Sequence, residues 1–173
     1  MKIASCFTLL LFLLFCAPSL KGQQQVKVEK EKISTVLDRM HHYASKADFD
    51  SYFSLFAKDF EFIGTESTEV WDLEAFKQYT QPYFHKGQGW TYTPLKRSVH
   101  VDDLGNSAYF HEVLDSAYGL CRGSGVLKKV NGEWKLQQYV LSILVPNSVA
   151  KKVVEIKKEA EARERTLLKN ETK

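Results

Sequence analysis

The stretch over residues 122–147, RGSGVLKKVNGEWKLQQYVLSILVPN, constrains the fold of this chain more than any other segment. Two runs rich in strand-forming residues, 125–129 and 134–145, flank the dipeptide Asn131-Gly132. A two-residue hairpin turn needs positive φ at its centre to match the right-handed twist of the flanking strands, and Asn-Gly supplies it. The spacing therefore predicts a long β-hairpin. Its second run contains YVLSILV, apolar at consecutive positions, whereas a sheet covered on one side alternates apolar with polar residues. Both sheet faces are thus expected to be covered. Helices and an internal cavity would cover one, and a second copy of the chain, packed as a homodimer through the outer sheet face, would cover the other.

Upstream, the periodicity changes from two to about 3.6. Ile33, Val36, Leu37, Met40, Tyr43, Ala44 and Ala47 recur at three-and-four spacing and predict a helix over 29–46 with one face against the sheet. Asp48 reads as the N-cap of a second, short helix carrying Phe49, Tyr52, Phe53 and Phe56. Phe60, Phe62 and Trp71 surround a bend at Gly64-Thr65, and Asp72 is positioned to cap a third helix over 73–84. Pro82 is expected to weaken its last turn, because a proline disfavours helical geometry in the residue before it. Strands follow over 92–101, 107–114, 120–129 and 134–145. Helices preceding strands, rather than alternating with them, give an α+β pattern. The expectation is three N-terminal helices on a strongly curved antiparallel sheet, a cone or cystatin-like roll, with a C-terminal helix.

That last helix covers the charged tail, 148–173. Val149, Val153, Ile156, Ala160 and Leu167 form a stripe that Arg163 interrupts, so a mostly solvated extension is expected. At the other end, Lys2, an apolar run over 7–17 and the close Leu20-Lys21-Gly22 read as a secretory signal peptide over 1–22. The run is shorter than the roughly 20 apolar residues that span a bilayer. Cleavage near Gly22 would give a secreted or periplasmic protein. A lipidated Cys16 is the rival and would anchor the chain to a membrane, but bulky Phe15 precedes it. Loss of Lys2 and Lys21 with the leader lowers the formal charge from +3 to +1. The remaining charges are interspersed, which argues against nucleic acid. Cys121 alone remains of the three cysteines, so no intramolecular disulfide can form.

The order Asp48-Phe-Asp-Ser-Tyr-Phe, FEFIGTESTEVW, a helix ending TQPYF, NSAYFHE, RGSGVLKKVNGEWKLQQYVLS and a closing Pro146-Asn147 resembles the SnoaL-like branch of the nuclear-transport-factor-2-like superfamily. The similarity spans about 32–147, which would make 23–147 one cone domain. Members of that superfamily share the ketosteroid-isomerase cone and include isomerases, cyclases, dehydratases and non-catalytic association modules. The resemblance therefore implies an architecture with a cavity, and leaves open whether the chain is an enzyme.

Strand alternation places Ala108, Phe110, Glu112 and Leu114 on the inner face, and the resemblance adds Cys121, Gly123, Gly125, Tyr139 and Leu141. Glu112 is the sharpest candidate. Among apolar neighbours its carboxyl would have a raised pKa and would act as a general base or hold a cationic ligand; alternatively it forms an ion pair with Arg122 on the next strand. Tyr52, Phe56, Trp71 and Phe76 are candidates for an aromatic pocket wall, with plain core packing as the alternative. Arg122 and Tyr139 complete the candidate lining. His100 and His111 lie on facing strands without a third ligand at suitable spacing, and adjacent His41-His42 diverge on a helix, so no metal is expected. Gln138 and Val140 occupy positions where the resembled family often carries histidines, which weakens histidine-based acid/base chemistry. No phosphate-cradling loop or catalytic triad order is visible, and no cofactor is expected. The expected function is binding of a small, partly apolar molecule, with isomerase, cyclase or dehydratase proton transfer by Glu112 and Tyr139 or Tyr52 as the enzymatic form and a non-catalytic dimeric association or ligand-binding module as the alternative.

Overall fold

A computed structural model describes the backbone of residues 5–171 and the side chains of 22–170. The expected leader, with Cys6 and Cys16, lies outside the described side chains. The elements run α1 (Ser5–Ser45), α2 (Phe49–Phe53), β1 (Phe56–Ile63), β2 (Val70–Asp72), α3 (Leu73–Phe84), β3 (Tyr92–Val101), β4 (Ser107–Ser116), β5 (Gly119–Val130), β6 (Glu133–Ile143) and α4 (Ala150–Glu171). The helices α1 to α3 and a six-stranded sheet give the expected α+β roll.

The sheet order is β2-β1-β6-β5-β4-β3. Strands β3 to β6 form an antiparallel meander, in which Glu112 lies opposite Arg97 on one side and Gly123 on the other. The β5–β6 turn is as the sequence requires, with Asn131 at φ 52° and Gly132 at φ 84°. One pair departs from the expectation of a wholly antiparallel sheet: β1 runs parallel to β6, with Phe62 opposite Tyr139. This follows from connectivity. No tight turn joins these strands, because β1 reaches the sheet from α2 and β6 arrives from the meander, so neither direction is imposed locally.

Both predicted caps form. The Asp48 carboxylate accepts from the Ser51 amide, and that of Asp72 from the Ala75 amide, each satisfying a donor that a helix start leaves free. Helix α2 ends at Phe53, so Phe56 opens β1 instead of continuing the helix. Pro82 lies within α3, which continues to Phe84. Its ring removes one amide from the helical ladder but does not end the helix, since Phe84 behind it is buried in the core.

The buried face of α1, carrying Ile33, Leu37, Met40 and Ala44, packs on the concave side of the sheet against Phe110, Leu114, Leu127 and Leu136. At its N-terminal side Glu29 is almost fully buried and accepts from Trp134 Nε1 (2.7 Å) while pairing with Lys129 (3.0 Å) and Lys32 (3.0 Å). Burial opposes the charged form of Glu29. The hydrogen bonds from Lys129, Lys32 and Trp134 outweigh it and lower the pKa to about 2. Helix α4 leaves most of its length exposed, including Ile156 and Leu167, and touches the β1–β2 turn where Ser67 bonds Glu164.

Candidate functional site

Between α1, α3 and the inner sheet face lies a cavity of about 140 Å³. The inner sheet face behind it follows from alternation. Phe110, Glu112 and Leu114 point inward from β4, as do Cys121, Gly123 and Gly125 from β5, and all are buried. Gly123 has a steric reason. A Cβ there would overlap Tyr139 Oη and stand 3.1 Å from Glu112 Cγ, so glycine leaves room for both side chains.

Glu112 is fully buried and every hydrogen bond its carboxylate makes is to a charged or polar group. Oε1 faces His41 Nε2 at 2.8 Å and accepts from Tyr139 Oη at 3.1 Å; Oε2 accepts from Arg97 Nε at 2.8 Å. Arg97 Nη1 also reaches Asp38 (2.6 Å) and the Ser34 carbonyl (3.1 Å) on α1. Two expectations are corrected here. The partner of Glu112 is Arg97, not Arg122. Arg122 lies opposite Val113, one residue out of phase with Glu112, so the alternation that brings Glu112 inward sends Arg122 to the exposed outer face. Nor is the Glu112 carboxyl raised. Burial pushes it up, but the hydrogen bond and charge of His41 and those of Arg97 prevail, and it is held below the usual carboxylate range.

Glu112 does not itself line the cavity, but its hydrogen-bond partners His41 and Tyr139 do. With Nε2 engaged by a carboxylate, the neutral ring carries its proton there and Nδ1 is the free basic nitrogen. Tyr139, donating to Glu112, is buried and next to a negative charge, and both effects push its phenol well up. The hydroxyl committed to that bond is not free to stabilise an oxyanion.

Of the aromatic candidates, Tyr52, Trp71 and Phe76 line the cavity. Phe56 lies behind them, its ring 4.9 Å from Tyr52 and 4.3 Å from Phe60, and belongs to the core. Phe62, Trp71 and Phe76 form a layered wall with nearly parallel rings, Phe62 and Phe76 being 4.4 Å apart at 5°. Burial raises the Tyr52 phenol, an effect that a hydrogen bond with Trp90 only partly offsets. His100 stacks on Tyr109 at 4.7 Å on the outer face and bonds Ser98. Gln138 donates to Glu61 across β1 and β6.

His41, Arg97 and Asp38 were not singled out as site residues by sequence reasoning. The signal for His41 was present. It lies four residues after Leu37 and three before Ala44, on the buried stripe of α1, where an ionisable side chain must find a polar partner. Arg97 had no comparable signal, since its role depends on the β3–β4 register.

The sequence pattern defining the SnoaL-like domain matches residues 33–146. Among curated proteins, none matches the chain in sequence. Three solved structures resemble it in fold. An NTF2-like protein of unknown function from Pseudomonas putida is 14% identical at TM-score 0.58, with 71% of this chain and 91% of that one covered. A protein of unknown function with a cystatin-like fold from Nostoc punctiforme is 16% identical at TM-score 0.55, covering 68% and 92%. An NTF2-like family protein from Streptomyces avermitilis, provisionally called a dehydratase, is 11% identical at TM-score 0.61, covering 70% and 99%.

Proposed function

Because the chain belongs to the SnoaL-like domain family, we propose that its inner cavity is the working site, binding a small, partly apolar molecule whose proton is moved by His41. The observation that carries this reading is the His41–Glu112 contact at the cavity floor. A carboxylate on Nε2 fixes the ring orientation and tautomer, makes Nδ1 the more basic nitrogen and stabilises the imidazolium formed when Nδ1 takes a proton. Arg97 keeps Glu112 ionised, and Tyr139 donates to the oxygen that His41 also faces. Glu112 is then a positioning residue. The chemistry this suits is cofactor-free proton transfer, as in isomerisation, cyclisation or dehydration, with Tyr52 as the phenol placed to donate to a developing oxyanion.

The test is native mass spectrometry of protein purified from its own host, compared with Leu141→Trp, which fills the cavity. A defined small molecule released on denaturing the wild type and missing from the variant is the expected result. A ligand retained equally by both would overturn the cavity as its site. Failure of His41→Gln to slow conversion of that ligand would remove the proton-transfer step while leaving binding intact.

We further propose export by the leader over 1–22, and pairing of two copies through the outer face, where Tyr109 and Leu120 are about half exposed or more. Sedimentation of the wild type against Tyr109→Lys tests the pairing. A monomeric wild type would dispose of it.

A further inference from the structure

The electrostatic character of the cavity discriminates between ligands of different charge. Nine of the sixteen lining residues are aromatic, and none is lysine or arginine. The single acidic one is Glu69, at the β1–β2 turn. Its carboxylate is fixed rather than free: Oε2 accepts from the Thr65 amide (2.8 Å) and the Glu66 amide (3.2 Å), and the side chain packs over Gly64 so closely that a Cβ there would overlap it. Behind the floor Glu112 is paired with Arg97 and His41, so its charge is met there, and the carboxylate that borders the space is that of Glu69. Around the rim, burial is the main cause that pushes the Tyr92 phenol to about 12, and the Glu69 charge adds to it. Tyr79 rises for the same leading reason, with Glu69 again contributing. The phenols therefore stay protonated, and an anion entering this space would meet ring faces and the Glu69 carboxylate with no lysine or arginine to receive it.

Aromatic rings attract a cation through their quadrupoles, and the gain rises as the cation loses water, provided negative charge nearby offsets the desolvation. A cavity of about 150 Å³ accepts a molecule of about benzene size, so the space here suits a compact head group. We propose that the cavity selects a small organic cation, a quaternary or protonated amine on an apolar body, seated among Trp71, Tyr79, Tyr92 and Tyr118 beside Glu69. This rests on the cavity being the working site and names the class of ligand it takes.

Choline and its neutral carbon isostere dimethylbutanol have nearly the same shape and differ in charge, so their comparison isolates the cation term. Titration is followed by calorimetry and by fluorescence of Trp71 and Trp90. Choline is expected to bind about tenfold tighter than the isostere. Glu69→Gln, which keeps the turn's acceptor oxygen, should remove about fivefold of that preference without changing the isostere. Tyr118→Leu, at an exposed position tolerant of change, should also weaken choline selectively. Equal affinity for the two probes would overturn the proposal and leave the cavity reading intact. Binding of indole by a protein that takes up neither probe would overturn it in the same way. If none of the three binds, both readings fail together.

Discussion

Replacing Glu112 by glutamine tests the site at its least exposed point. The carboxylate accepts three hydrogen bonds, from His41, Arg97 and Tyr139. An amide has one oxygen to accept with and a nitrogen that only donates. Arg97 Nε can only donate, so the amide oxygen must face Arg97 and the NH₂ must face His41 and Tyr139. His41 Nε2 must then accept, which moves the neutral ring's proton to Nδ1 and turns that nitrogen from base to donor. The energetic cost has two parts. The bonds with His41 and Tyr139 lose their charge assistance, at about 1 kcal/mol each, while Arg97 keeps a hydrogen bond but loses its most buried counter-charge, retaining Asp38 and the Ser34 carbonyl. Breaking a buried pair outright costs about 3–5 kcal/mol, so about 2–4 kcal/mol is expected with these compensations. The assay is urea unfolding at neutral pH, paired with nitrogen-15 NMR of His41, in which the protonated and bare ring nitrogens resonate far apart. Since the folded carboxyl lies below its ordinary value, its contribution is complete above the ordinary carboxylate range and is lost as pH falls through it. The gap between wild type and variant should therefore narrow in acid. A proton still on Nε2 in the variant, or a loss under about 1 kcal/mol, would refute the reasoning.

Glu29→Gln should destabilise at neutral pH by about 1–2 kcal/mol, the full shift being discounted because Lys32 and Lys129 bring solvent to the clasp. The deficit is present above pH 4.5 and should vanish as pH falls towards 2, so parallel melts across that window check it; a deficit independent of pH would sink it. Gly123→Ala should cost about 1–3 kcal/mol by overpacking and push Tyr139 off Glu112, visible as a change in the Tyr139 ring signals. Removal of 148–173 should change unfolding free energy by under about 1 kcal/mol, because α4 is largely solvated and its Ser67–Glu164 bond lies on the surface. A larger loss would mean that α4 packs more tightly than its exposure indicates.

Those parts of the fold set by local chemistry were legible in the sequence. Asp48 and Asp72 announced their helices, Asn131-Gly132 its turn, and period-two alternation put Glu112 inside and Tyr109 outside. What depended on distant register was not. Arg97 and Arg122 are both basic residues beside β4, and only the pairing of Arg97 opposite Glu112, with Arg122 a residue out of phase, decides between them. The lowered carboxyl follows from His41 first and from this Arg97 pairing second, since burial alone would have raised it. The parallel β1–β6 pair was hidden for a related reason: no short turn connects those strands, so their relative direction leaves no mark in either one. His41 could have been found, because a histidine on a buried helical stripe demands a partner, but its partner lies 71 residues away.

Helix α1 is fastened to the sheet at well-separated heights, by Glu29 to Trp134 and Lys129, by Asp38 and Ser34 to Arg97, and by His41 to Glu112. Lifting it would expose several charges at once. On the proposed reading a ligand would enter on the opposite side, where Gly64, Thr65 and Glu69 of the β1–β2 turn line the cavity together with Tyr118. In the proposed site, exchange of a ligand would then depend on the turn rather than on the helix. The rim residues that would seat the ligand also stand at its entrance, so substitutions there would change affinity and exchange rate together, while the fastened floor would be altered separately.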